Sequence, residues 1–302
     1  MQKKVLLAGG SGLIGRQIRK ELQAKGYHVC ILSRGKSQPG QGIYHWDPFQ
    51  GIIDPEALSG CYGVINLAGA AMVRWPWTTS RKQLLVDSRV RSTAFLIDQI
   101  LRSKQYPEVF INGSASGYYP DRNDEWLRED TAPDDDFLGK TCALWEAALT
   151  DREPLPFRTC IVRTGLVTSY RGGIYPLITM SMHLKIAGYL GRGEMYYSWI
   201  HIEDMARLMI FLLENKNSSG SYNGTSPQPL TMKSWVQAMG RQKKTWITIR
   251  IPAWIIRLFT GSFADILLKG GRLSADKIQR EGFKFRWTDW PAAIRDLESR
   301  KI

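Results

Sequence analysis

The 302-residue chain has only four cysteines and four histidines, and neither set is spaced to hold a metal. Cys30, Cys61, Cys142 and Cys160 lie far apart with no C-x-x-C step, which argues against a zinc site and against a disulfide framework. They are expected to be reduced and partly buried. His28, His45, His183 and His201 show no ligand spacing either, so no metal is expected. No apolar run reaches the roughly 18 residues that a bilayer span requires, and the greasiest C-terminal stretch, residues 251–259, is interrupted by Arg257. Residues 1–4 lead directly into a strand rather than a signal h-region. The expected location is therefore cytoplasmic, with no membrane partner. Internal repeats are also lacking.

Charge of one sign is in excess, with 41 Lys and Arg against 28 Asp and Glu, a net +13. Such a balance suits nucleic acid only when the cations form a stripe. Here they are dispersed, and the densest groups, residues 89–91 and 241–244, are short and carry no interleaved aromatics. Specific nucleic-acid binding is not expected, and part of the charge suits a phosphate-rich cofactor. At 43% hydrophobic content the chain can bury a large core, in one big or two moderate domains.

The most informative feature present is a short apolar strand, residues 5–8, running into Gly9-Gly10-Ser11-Gly12-Leu13-Ile14-Gly15 and then a helical stretch over 16–25. Gly9 can turn the chain tightly, Gly12 lets backbone approach phosphates, and Gly15 lets the helix pack close to the strand. The helix N-terminus then offers free N–H groups and a positive dipole end to a dinucleotide pyrophosphate. Ile14, Ile18 and Leu22 give that helix one apolar face. The glycines fall as G-x-x-G-x-x-G rather than G-x-G-x-x-G.

A second strand over 27–32 ends at Ser33-Arg34, about 20 residues after the glycine loop, where an acidic residue would hold the ribose hydroxyls of NAD. No Asp or Glu is there. Arg34, with Ser33 and Lys36 beside it, offers a cationic fork and a hydroxyl to a ribose 2′-phosphate, so NADP is the expected cofactor.

Further buried strands are read at 63–67, ending in Ala68-Gly69, at 109–112, breaking into Gly113-Ser114-Ala115-Ser116-Gly117-Tyr118-Tyr119, and at 160–163. Helical segments are read over 79–104, 137–149 and 205–213. Strands alternating with helices predict an α/β chain with a doubly wound parallel sheet. The acidic stretch 121–136 is expected as a surface loop beside the site. The last third, from about residue 224, is rich in Trp and Phe, and the helix-like stretch 254–268 is expected to pack Ile255, Leu258 and Phe259 as core.

The glycine spacing, Asn66-Leu67-Ala68-Gly69, Ser114 before Tyr118, and Trp199-Ile-His-Ile-Glu-Asp204 together resemble the extended short-chain dehydrogenase/reductases. More narrowly, Arg81-Lys82-Gln83, Ser88-Arg89-Val90, Gly117-Tyr118-Tyr119, Trp145-Glu146, Arg163-Thr164-Gly165 and the tail from Leu267-Leu268 to Gly282-Phe283 resemble the atypical epimerase family proteins, which are sugar-nucleotide epimerase-like. The resemblance implies a Rossmann domain over residues 1–165, completed by about 198–224, with a smaller C-terminal α/β substrate lobe from 166–197 and 225–302. It implies that NADP is bound through Gly9, Ser11, Gly12, Leu13, Ile14, Gly15, Ser33, Arg34, Leu67, Ala68, Gly69 and Arg89.

In ordinary relatives a Ser and a Tyr-x-x-x-Lys pair cooperate, the lysine lowering the tyrosine pKa so that it can exchange a proton with substrate. Here Leu138 and Cys142 stand at those two positions. Ser114, Tyr118 and Tyr119 are the catalytic candidates instead, with Lys140 and His201 behind them. Two functions stay open: an NADP-dependent oxidoreductase or epimerase acting on a small, free or nucleotide-linked hydroxyl or carbonyl substrate, and a catalytically degenerate NADP(H)-binding regulatory or redox-sensing protein. Oligomeric state is also open.

Overall fold

The first strand, β1 (Lys4–Ala8), buries Val5, Leu6, Leu7 and Ala8 in succession, so it has to be covered on both faces, as an inner strand of a parallel sheet is. In the computed structural model, which describes residues 2–72, 75–173 and 175–300, it is. The following strands are β2 (His28–Ser33), β3 (Ile43–Asp47), β4 (Ile52–Ile53), β5 (Cys61–Asn66), β6 (Val109–Ala115), β7 (Arg158–Thr164) and β8 (Gly220–Gly224). They form one sheet in the order β8-β7-β6-β5-β1-β2-β3-β4, parallel apart from the antiparallel β3–β4 pair. This is the doubly wound Rossmann arrangement, and its strand order reverses between β1 and β5.

Helices cover both faces. On one side α1 (Leu13–Ala24) and α4 (Ile202–Glu214) bury Ile18, Leu22, Met205, Leu208, Met209 and Leu212 against Val5, Leu7 and Ile65. On the other, α2 (Thr79–Ser103) and α3 (Phe137–Thr150) supply Leu96, Ile97, Ile100 and Leu149 against Leu6, Val64 and Phe110. Strand alternation sends Leu6 and Leu7 to opposite faces, so each face acquires its own core.

A second core forms where α5 (Met232–Gln242) meets a late helix, Trp290–Ser299, with Trp235 and Trp290 stacked at 4.6 Å between centroids and 14° between planes. Between these two helices in the sequence lies α6 (Ala253–Thr260). One helix over 254–268 was expected there. The chain instead turns at Gly261, whose φ of 54° lies outside the helical region, and resumes as a short helix at Ala264–Leu268. Leu258 and Phe259 are exposed rather than core, because α6 reaches the interior through Ile256 alone. Apolar composition says that a face wants cover, and tertiary packing decides which face obtains it.

Candidate functional site

The floor of the site is the reversal point of the sheet, where open α/β folds place ligands beyond the strand carboxyl ends. Gly9 has φ +79°, and a Cβ there would lie 2.6 Å from the carbonyl oxygen of Leu67, so the turns after β1 and β5 touch through it. A Cβ on Gly15 would stand 2.4 Å from the Gly9 carbonyl oxygen. At Gly12 a Cβ would meet only that oxygen, at 3.2 Å. Gly12 is the N-cap of α1, no side chain caps the helix, and Ser11 and Gly12 are exposed. An unblocked helix N-terminus with open backbone in front of it can hold a pyrophosphate. Leu13 and Ile14, half-buried, follow in the first turn.

At the end of β2, the Ser33 hydroxyl accepts the Gly35 amide at 3.1 Å. Arg34 is exposed, and its guanidinium has no hydrogen-bond or ion-pair partner among the described residues. Beyond β5, Asn66 fixes the turn by donating to Thr93 at 2.9 Å and to Asn112 at 2.8 Å, while its own carbonyl accepts the Ala68 amide. Gly69 faces Arg89, whose guanidinium is buried, donates to the Leu85 and Ala70 carbonyls, and lies over Trp145. Loss of solvent pulls the Arg89 pKa down to about 10, and no carboxylate pairs with it among the described residues. A desolvated cation with carbonyl partners alone is suited to an anion that arrives with a ligand.

Next to Arg89 a cavity of about 270 Å³ opens between the strand ends and the C-terminal segment. Ala115, Ser116 and Gly117 form one wall; Leu138, Thr141, Cys142 and Trp145 from α3 form a second; Tyr196, Tyr197, Ile266, Lys269, Gly271 and Leu273 close it. The two positions where a Tyr-x-x-x-Lys pair would stand thus both face the cavity, as leucine and cysteine. Burial pushes the Cys142 thiol up to about 12, far from a thiolate at neutral pH. Lys269 is held by Asp134 at 2.7 Å and Asp136 at 2.8 Å, which ties the acidic loop to the cavity lid.

Ser114, Tyr118 and Tyr119 come together, but around Arg163 and not on the cavity wall. Ser114 donates to Glu146 at 2.6 Å. Tyr119 is buried, donates to Asn223 at 2.7 Å, and accepts from Arg163 at 2.8 Å. Tyr118 lies under the Arg163 guanidinium at 3.6 Å. Burial raises the pKa of both phenols, the opposite of what a poised tyrosinate needs. Within β6 alternation turns Ser114 to Glu146 and Ala115 to the cavity, and the chain then leaves the strand in a 3-10 turn over Ser116–Tyr118, so that Ser116 lines the cavity as well. His201 caps α4 inside the core, and Lys140 is exposed. Among the aromatic residues near the site, Tyr196 and Tyr197 line the cavity, Trp77 and Trp199 are core, and Trp75 is exposed. No local pattern announced Ser116, Thr141 or Lys269. Among the described residues no group of His, Cys, Asp or Glu could hold a metal ion.

The model of the NAD dependent epimerase/dehydratase family matches residues 5–223, nearly three-quarters of the chain. The chain belongs to that family. A C-terminal domain of unknown function, DUF1731, matches residues 251–297 of this epimerase-family chain. An epimerase family protein of Staphylococcus aureus (strain MRSA252) is 31% identical over 304 residues, covering 99% of this chain and 100% of its own length. The crystal structure of human epimerase family protein SDR39U1 (isoform 2) with NADPH superposes with a TM-score of 0.88 at 26% identity, over 98% of this chain and 99% of that one. UDP-N-acetylglucosamine 4-epimerase from Bacillus cereus shares the fold, with a TM-score of 0.77 at 14% identity, over 99% of each chain.

Proposed function

We propose that the chain is an NADP(H)-dependent oxidoreductase acting on a small hydroxyl or carbonyl compound. The observation that carries this reading is the cavity at the carboxyl ends of β6 and β7, together with the unblocked α1 N-terminus and a β2 end that offers Arg34 and no carboxylate. A free guanidinium suits a 2′-phosphate, and a relative has been crystallised with NADPH.

When bound, a nicotinamide supplies or accepts a hydride. The chain's own part is to hold the reacting oxygen and keep water away. Ser116, on the wall, has the hydroxyl for the first task, and Leu138, Trp145 and Leu273 perform the second. Arg89, which lines the cavity and has no carboxylate partner among the described residues, adds positive potential as negative charge develops on that oxygen. Ser114, Tyr118 and Tyr119 serve from behind, fixing the strand end that carries Ser116. At 270 Å³ the cavity sits just below the usual ligand-pocket range of about 300–1,000 Å³, which favours a free small molecule over a nucleotide-linked sugar. The alternative, an NADP(H)-binding regulatory protein, draws its support from Leu138 and Cys142, which put no proton carrier at the usual positions.

Calorimetric titration with NADPH and NADH, beside Arg34→Ala, tests the cofactor. The variant should weaken NADPH about tenfold or more and leave NADH unchanged; equal affinities for both cofactors in the unaltered protein would overturn the 2′-phosphate argument. NADPH oxidation across small aldehydes and ketones, with Ser116→Ala, tests turnover. Tight NADPH binding without turnover of any carbonyl would favour the regulatory reading.

A further inference from the structure

The C-terminal lobe turns an apolar face outward. Trp246, Leu258 and Phe259 are 83%, 71% and 72% exposed, and Trp254 and Leu184 are 65% and 75% exposed. They belong to two connected pieces. Strand Ile247–Ile251 pairs with Ile186–Leu190 and leaves Ile247 and Ile249 exposed, and the Trp246 amide donates to the Lys185 carbonyl, seating Trp246 beside Leu184. Pro252 then leads directly into α6, where Trp254 and Leu258 lie one turn apart while Ile256 alone is buried. Single exposed apolar side chains are ordinary on a protein surface, but six of them within residues 246–259 are not.

Charge indicates what covers it. Residues 241–265 carry Arg241, Lys243, Lys244, Arg250 and Arg257 against one acidic residue, Asp265, which lies 3.7 Å from Arg257, while Lys243 pairs with Glu298; the face keeps a cationic excess. A two-fold contact over this face would set those cations against their own copies. The side chains also project as knobs, whereas a peptide groove half-encloses its own anchors. Projecting Trp, Leu and Phe interleaved with Lys and Arg suit a deformable apolar solvent under anionic headgroups: aromatic rings at the headgroup level, aliphatic groups below, and cations on phosphates.

We propose that this face docks the protein on an anionic lipid surface, as a peripheral contact that spans nothing. The expectation of no membrane partner rested on the lack of a spanning segment, which such a contact does not need. The proposal is independent of the oxidoreductase reading.

Sedimentation with phosphatidylcholine vesicles containing about one-third phosphatidylglycerol, beside pure phosphatidylcholine vesicles, tests it. The full chain should bind the mixed vesicles and not the neutral ones, and high salt should release it. Leu258→Ser with Phe259→Ser, and separately Arg250→Gln with Arg257→Gln, should each lower binding about tenfold or more, with the far-ultraviolet circular dichroism spectrum unchanged. Failure to bind mixed vesicles, equal binding to both vesicle types, or full binding by the serine variant would overturn the proposal. So would a concentration-dependent dimer, in a chain that ignores vesicles, that the serine variant abolishes, since the face would then belong to a second copy.

Discussion

Arg163 holds Glu146 by two parallel hydrogen bonds, Nε to Oε1 at 2.9 Å and Nη2 to Oε2 at 2.8 Å, and both side chains are buried. Fork geometry and full desolvation make this pair expensive to break by halves. Arg163→Met leaves the Glu146 carboxylate, the Tyr119 hydroxyl and the Glu129 carbonyl without the guanidinium, and should cost about 3–5 kcal/mol. Glu146→Gln added to Arg163→Met should recover much of that loss. Urea unfolding of the single and double variants checks both statements; a cost below about 1 kcal/mol for the single variant would mean that water replaces the guanidinium.

The glycine turn separates folding from binding. Gly15→Ala drives a methyl into the Gly9 carbonyl oxygen at 2.4 Å, so α1 must shift away from β1; a destabilisation of about 1–3 kcal/mol is expected, with loss of nucleotide affinity. Gly12→Ala meets only one atom, at 3.2 Å, and should leave the melting temperature nearly unchanged. Because its methyl stands in front of the helix N-terminus, it should still weaken dinucleotide binding about tenfold or more. Thermal melts and titrations on the two variants should diverge accordingly.

His201 gives a pH signature. Its Nδ1 accepts the Glu203 amide, which puts the proton on Nε2, 3.1 Å from Asp296. Burial, opposed by the charges of Asp296 and Glu203 and reinforced by Arg300, holds its pKa below the ordinary 6.5. A base with a depressed folded pKa protonates more readily when unfolded, so its stabilising share is present above 6.5 and lost as the pH falls through that value. Urea midpoints should decline from about pH 7 to about pH 5, and His201→Asn, which keeps a capping acceptor, should flatten that slope. An unchanged slope would assign the decline to other groups.

Lys269 joins two parts of the chain that are distant in sequence. Asp134 and Asp136 both reach it, and Asp136 also caps α3 by accepting the Gly139 amide. Lys269→Met should loosen residues 121–136 and the cavity lid together. Faster amide exchange in that loop, with slower exchange retained in β1 and β5, is the expected readout; unchanged protection would show that the loop is held by the Trp126–Leu127 pairing with Arg272–Leu273 instead.

What the sequence disclosed was what is local in the chain. Gly9, Gly12 and Gly15, the strand before them and the helix after them lie within two dozen residues, and the chemistry that selects them is short-range. The placement of Ser33 and Arg34 at the end of β2 was legible for the same reason. Ser114 was not, because one residue of strand register separates a side chain that meets Glu146 from one that faces the cavity. Lys269 was invisible, since its partners stand 135 and 133 positions away. Leu258 and Phe259 looked like core because apolarity carries no label for which neighbour, protein or otherwise, will cover it.

The edge strand β8 has a consequence for synthesis. It reaches its neighbour β7 only after the chain has travelled from Thr164 to Gly220. While a ribosome is still making that excursion, the emerging sheet carries a bare row of amides and carbonyls along β7, flanked by the buried Cys160, Ile161 and Val162. Such an edge invites pairing with another nascent chain. The interval between the two strands is therefore the stage at which a chaperone has most to protect, and a product that stops before Gly220 cannot close its own sheet.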